Sequence, residues 1–247
     1  MLASWFMNRK YNTIEPVAAH PEFDRYADEY ANLLDDPIRR KFAGESAFFF
    51  ERKWEVLEEY MQQTGLHPEN LNWLDVGCGA GDLLRLGSGR FAYAAGCDVS
   101  TEMLKACDGL NVVTQTDPSR LPFEDARFDL VTTVCVYHHV EPSDRPALTA
   151  EIARVLRPGG TACIIEHNPF NPATQIIVRR TLVDQNTQLL KAGAARRLLT
   201  AAGLGAQQRT KYFLYFPRAI YHQAKAMEAL LEKLPAGGQY AAFGRKG

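Results

Sequence analysis

Cysteine is sparse and unpatterned in this chain: its five cysteines are odd in number, scattered, and form no C-x-x-C pair. That speaks against a disulfide framework and a zinc knuckle, and it predicts reduced thiols in a cytoplasmic setting. Long apolar runs are missing too. No stretch approaches the roughly 18 apolar residues of a membrane span, and the opening Met1–Lys10 lacks the apolar centre of a signal peptide, so a soluble chain is predicted. Neither sign of charge is in excess: 28 Lys and Arg stand against 29 Asp and Glu, a net charge of -1. Without a basic field, no nucleic-acid partner is expected. The six histidines show no ligand spacing beyond one adjacent pair, so the sequence predicts no metal site.

What the chain does hold is a core. Its 247 residues are 46% hydrophobic, enough for one large α/β domain with additions. The organising stretch is Asn72-Trp73-Leu74-Asp75-Val76-Gly77-Cys78-Gly79-Ala80-Gly81-Asp82-Leu83-Leu84. It reads as strand, tight turn and helix, and a glycine turn of this kind lets backbone approach a ligand closely at a helix start. The spacing G-x-G-x-G differs from the G-x-G-x-x-G dinucleotide fingerprint, and alone it also suits a purely structural turn. A second apolar strand, Phe91–Cys97, then ends in Asp98. An acid at that place accepts both hydroxyls of a ribose, which points to a nucleoside-containing cofactor.

Further along come Gly96-Cys97-Asp98-Val99-Ser100, Asp117 ahead of Leu121-Pro122-Phe123, Phe128-Asp129-Leu130-Val131, and Leu156-Arg157-Pro158-Gly159-Gly160. With the glycine turn, these motifs resemble, in order across residues 72–165, the class I S-adenosylmethionine-dependent methyltransferases, most closely the branch acting on small molecules and lipids. The resemblance implies a doubly wound, mostly parallel seven-stranded sheet of order 3-2-1-4-5-7-6, strand 7 antiparallel, with helices on both faces and an N-terminal helical cap. It implies S-adenosylmethionine as cofactor and S-adenosylhomocysteine as product. It also implies cofactor contacts from Asp75, Gly77, Cys78, Gly79, Asp98, Cys135, Val99 and Met103 beside the adenine, and Asp117 on its amino group. Pro118 replaces the alanine usual after that acid and cannot donate a backbone N–H. From the cap, an aromatic, Tyr26 or Tyr30, and the cation Lys53 would enclose the methionine part, although both residue types also suit an ordinary core or solvated face.

The domain organisation follows: arm and helical cap over 1–68, then a core over 69–247 with insertions at about 170–192 and 217–236. Periodic apolar residues predict cap helices from Pro21 and over about 45–63. Ser100 caps a short helix, Ser143 a later one carrying Leu148, Ile152, Val155 and Leu156. The parallel strands predict Asp75, Asp98, Asp117, His139 and Glu166 at one sheet edge. The apolar stripe Ile220, Ala224, Met227, Leu231 and Leu234 predicts core packing for an inserted helix, with docking against a membrane or lipid-like acceptor as the other reading.

A sulfonium-bound methyl group is already activated, so its transfer asks for alignment and desolvation, with a base for a hydroxyl or amine acceptor. His138 and His139 after the fourth strand are the leading candidates, then Glu166 with His167 after the fifth. Asn168-Pro169-Phe170 reads as a turn shaping the acceptor pocket. The reading is therefore an O-methylating enzyme for a small or amphiphilic metabolite. A cofactor-binding module without turnover and a nicotinamide oxidoreductase on a related sheet stay open beside it.

Overall fold

The computed structural model describes residue 24 and residues 36–184 and 187–247. Tyr26, Tyr30, the arm and the predicted helix from Pro21 lie outside the described residues. Helices α1 (Pro37–Ala43) and α2 (Ala47–Thr64) lead into β1 (Asn72–Val76). Then follow α3 (Asp82–Gly87), β2 (Tyr93–Asp98), α4 (Thr101–Leu104), β3 (Val112–Thr114) and β4 (Phe128–Val134). The chain continues through α5 (Arg145–Val155), β5 (Leu156–His167), α6 (Pro172–Arg180) and α7 (Ala192–Ala201). It closes with β6 (Ala206–Phe213), α8 (Arg218–Leu231) and β7 (Gln239–Arg245).

The strands form one seven-stranded sheet of order β3-β2-β1-β4-β5-β7-β6. β1 to β5 are parallel, and β7 runs antiparallel between β5 and β6. This is the order and the orientation implied by the resemblance. The central strands are apolar on both faces, as a sheet covered on both sides requires. Alternate residues feed separate cores: Leu74, Val76, Ala162, Ile164, Tyr240 and Ala242 pack with α5 and α7. Trp73, Leu130, Cys163, Ile165, Ala241 and Phe243 pack on the opposite side against α2 and α3.

Helix α2 has two jobs along its length. Its later turns cover the sheet, with Trp54 beside Trp73 and Tyr60 stacked on Phe243 at 3.9 Å between ring centroids. Its first turns carry Phe49, Phe50 and Lys53 to the mouth of a cavity. The cap of α5 departs from expectation: the N-cap residue is Asp144, without a side-chain cap bond, and Ser143 merely donates to Asp144 Oδ1 at 3.1 Å.

The α8 stripe does not pack into the core. Only Tyr221 and Glu228 of this helix are buried, while Ile220, Met227, Leu230 and Leu234 are exposed, Leu230 by 84%. The inward face is held by polar groups instead. Buried Arg52 of α2 pairs with Glu228 and lies 3.8 Å from the centroid of the Tyr221 ring, whose hydroxyl donates to Glu55 Oε2 at 2.6 Å. Glu228 also accepts from the Tyr215 N–H at 3.1 Å. A buried charge this well paired fixes which side of the helix faces in, and the apolar side is left to the surface.

Candidate active site

Parallel strands release their following loops at one edge, and a cavity of about 670 Å³ opens there. The glycine turn forms one end. Gly77, Gly79 and Gly81 adopt φ of 70°, 52° and 82°, so each sits in the left-handed region that side chains resist. Gly77 and Cys78 N–H both donate to Cys97 O, at 2.8 and 3.0 Å, which ties the turn to the end of β2. A Cβ at Gly77 would stand 2.4 Å from Val136 Cγ2, so the turn has no space for one.

Asp98 completes this end. Its Oδ2 accepts from Gly79 N–H at 2.8 Å and its Oδ1 from Ser100 N–H at 2.9 Å. Burial raises its pKa against those bonds. The carboxylate lines the cavity with Gly77, Gly79, Val99, Met103 and Pro118. Ser100 Oγ accepts from Met103 N–H at 3.1 Å, as the predicted cap, and donates to Asp24 Oδ1 at 2.5 Å. Lys53, over the Phe50 ring at 4.3 Å, lines the same cavity.

Asp75 lies beneath the wall, buried and off the cavity surface. The β1–β4 register sets it against Thr132, which accepts from Trp73 Nε1 at 2.9 Å and donates to Asp75 Oδ1 at 2.6 Å. Burial pushes the Asp75 carboxyl up to about 7, with Thr132 and Lys53 acting in the other direction. Two more expectations are corrected here. Cys78 turns its side chain into the core and does not line the cavity. Asp117 is turned out to solvent, its Oδ1 accepting Ser119 N–H at 2.8 Å and Ser119 Oγ at 2.6 Å, the self-satisfied turn an aspartate makes before a proline. Its place on the cavity is taken by Gln115, whose amide donates to the carbonyls of Asp117 and Pro118 at 3.2 and 3.3 Å.

The opposite wall is ionic. Glu166, fully buried at the end of β5, accepts Tyr137 N–H at 2.7 Å and faces His138 Nδ1 at 2.7 Å. His138 Nε2 faces Asp184 Oδ1 at 3.4 Å, and His139 Nε2 lies 3.5 Å from the same oxygen. Burial opposes a charge on His138, but Glu166 and Asp184 outweigh it and hold the imidazole protonated well above its ordinary value. His139 moves the other way, lowered by burial and by the charge on His138, so it is the neutral imidazole of the pair, half-buried in the cavity wall. As a base, His138 is therefore corrected: its proton is locked between two carboxylates. Glu166 is likewise corrected, since it stands behind His138 and not on the cavity.

Gln239 and His167 face each other across the β5–β7 ladder, Gln239 Nε2 lying 3.4 Å from His167 Nδ1, and Gln239 Nε2 also donates to Cys135 Sγ at 3.7 Å. Cys135 adopts φ 57° at the end of β4. Burial disfavours its thiolate, yet Lys53 and His167 bring its pKa down to about 7. The ligand atoms of His138, His167 and Asp184 lie within 4.8 Å of one another, a cluster that sequence spacing did not show. Asp184 and Gln239 were also missed. Gln239 had a signal, the start of a strand paired with β5, while Asp184 sits in an insertion without any motif. Asn168 has a structural task, its Nδ2 donating to Pro235 O at 3.0 Å and Gly237 O at 2.8 Å.

The residues present fit an adenosylmethionine-sized group. A buried carboxylate suits a vicinal diol, apolar Val99 and Met103 suit the faces of a purine, and the Lys53 ammonium suits a carboxylate. The ionic wall has its own pH dependence. Below 6.5, the ordinary histidine value, folded and unfolded chains both hold the His138 proton, and above 4.5 the folded carboxylates are charged, so the pairing stabilises fully between these limits. It is lost as pH rises through the higher native value of His138 or falls through the lowered values of Glu166 and Asp184. His138→Gln should cost about 3 kcal/mol near pH 6. The gap in unfolding free energy from wild type should narrow well above that pH, and a gap that widens would refute a charged His138.

Residues 74–164 match the methyltransferase domain family. Among curated proteins, the chain is 28% identical over 155 residues to a tRNA (carboxymethyluridine(34)-5-O)-methyltransferase of Arabidopsis thaliana, covering 62% of this chain and 35% of that protein. It is 30% identical over 158 residues to the demethylmenaquinone methyltransferase of Symbiobacterium thermophilum, covering 58% of this chain and 62% of that one. The chain thus spans less than two thirds of either relative. In fold it is similar to an S-adenosylmethionine-dependent methyltransferase of Thermotoga maritima, with TM-score 0.67 at 16% identity over 91% of this chain and 98% of that one. Sequence match and strand order converge: residues 74–164 match a methyltransferase domain, on a sheet with the strand order of the class I S-adenosylmethionine-dependent fold.

Proposed function

We propose that this chain methylates an oxygen of a small, amphiphilic acceptor. The observation that carries the reading is that the Gly77–Asp98 cradle and the neutral imidazole of His139 wall one chamber. In it Asp98 binds the ribose hydroxyls, Val99 and Met103 hold the adenine, and Lys53 pairs with the methionine carboxylate. Asp75, joined to Thr132, braces the turn from below. When bound, S-adenosylmethionine supplies a methyl group on a positive sulfur. His139 takes the acceptor proton, and Asp184 steadies the charge that results. His138 and Glu166 position it.

Two features support an amphiphilic acceptor. Phe42, Phe49, Phe50, Ile177 and Leu214 give the chamber an apolar wall. The exposed stripe of α8 lies beside α1, which lines the chamber through Ile38 and Phe42. Such a helix, flanked by Arg218, Lys225 and Lys233, suits the surface of an anionic bilayer. Among the described residues no helix is long and apolar enough to cross a membrane. The quinone-directed relative accords with this acceptor class. A tRNA acceptor, as the name of the Arabidopsis relative gives for that protein, draws less support from a chain of net charge -1.

Asp98→Ala should lose about 2–3 kcal/mol of S-adenosylmethionine binding, roughly thirtyfold to over a hundredfold by calorimetry; unchanged affinity contradicts the cradle. His139→Asn should retain cofactor affinity and lower kcat about 10²–10⁴-fold, read as S-adenosylhomocysteine release with hydroxylated amphiphiles. Full cofactor binding without release across the panel would favour a binding module. Liposomes rich in anionic lipid should sediment the wild type and release Leu230→Glu; equal recovery of both in the supernatant removes the bilayer from the reading.

A further inference from the structure

The ionic wall contains more ligating atoms than a methyl-transfer site needs. Two carboxylates, Glu166 and Asp184, are buried there with the imidazoles of His138 and His167, and half-buried His139 stands beside them. Burying two negative charges within one small volume is costly unless an equal positive charge sits between them. A metal ion there takes the place of the proton that otherwise sits between His138 Nε2 and Asp184 Oδ1.

We propose that His138, His167 and Asp184 bind a divalent transition-metal ion at the floor of the chamber. All three side chains are buried and offer one atom each within a span of 4.8 Å. Bonds near 2.1 Å place neighbouring ligands roughly 3–3.5 Å apart, and His138 Nε2 already stands 3.4 Å from Asp184 Oδ1. A metal-binding imidazole characteristically donates its other N–H to a carboxylate, which fixes ring and tautomer. His138 has that partner: Nδ1 faces Glu166 Oε2 at 2.7 Å, and the carboxylate is itself pinned by Tyr137 N–H. Two imidazoles and one carboxylate suit zinc, iron or manganese in the divalent state, and leave coordination positions open.

The open positions face the chamber, because His138, His139, His167 and Asp184 all line it. An acceptor oxygen bound there gives up its proton more readily. This consequence rests on the O-methylation reading above; metal uptake itself does not, and it is measured without any turnover.

The test uses the full chain, freed of metal by chelator and carrying no histidine tag, dialysed against Zn²⁺, Mn²⁺ or Co²⁺ and assayed by elemental analysis and calorimetry. One equivalent of at least one of these ions should bind and raise the melting temperature. His167→Ala removes a ligand and leaves the His138–Glu166 pair, so it should fold and lose roughly tenfold or more in affinity. Asp184→Asn should behave alike, while His222→Ala, on exposed α8 surface, should bind as wild type. Co²⁺ should show the visible absorption of a nitrogen- and oxygen-ligated centre, altered in His167→Ala. Absence of stoichiometric uptake, or uptake that a folded His167→Ala leaves unchanged, overturns the site whatever the fate of the methyl-transfer reading.

Discussion

A carboxylate with no access to water must be paired where it stands, and Glu166 is such a group. One oxygen takes the backbone of Tyr137, the other takes His138. Together these bonds dictate how the chain leaves β4: Tyr137 is drawn into the core, where its hydroxyl lies 2.8 Å from Thr149 Oγ1, and His138 turns down toward Asp184. His139 is then left for the chamber. The choice between adjacent histidines is made by the residue behind them.

The cofactor side is built on the same logic with weaker groups. Trp73, Thr132 and Asp75 form a chain of donors and acceptors across β1 and β4, so an acid buried below the turn is oriented before any ligand arrives. Asp98 is held by two backbone N–H groups, which leaves its remaining lone pairs directed by the fold. Both ends of the chamber thus rely on carboxylates held at strand ends by the loops that leave the sheet, the carboxyl edge where parallel sheets place their ligands.

Much of this was legible in the residues. The glycine spacing and Asp98 mark the cradle because turn chemistry and the carboxyl edge of a strand are local properties. Strand order followed from resemblance, and the double-sided apolar strands agree with it. Other features escaped for physical reasons. Periodicity in α8 shows that one face is apolar but not which way that face points. The Arg52–Glu228 pair decides that from a helix far away in sequence. Asp117 matched a position by order, yet Ser119 two residues on satisfies its carboxylate locally. Asp184 ends a single short 3-10 turn, Leu182–Asp184, too short for any pattern to announce it. The histidine cluster joins residues whose only common property is proximity after folding, so ligand spacing along the chain is silent about it.

The connection from α8 to β7 is unusually well fastened. Tyr215 holds Leu231 O at 2.6 Å, Tyr212 N–H holds Glu232 O at 2.7 Å, Asn168 grips Pro235 and Gly237, and Asn171 Nδ2 reaches Ala236 O at 2.8 Å. Immediately beyond stands Gln239, against His167. Outer helix and chamber floor are therefore one stiff mechanical unit: a displacement imposed on α8 from outside meets no slack loop before it reaches the imidazole.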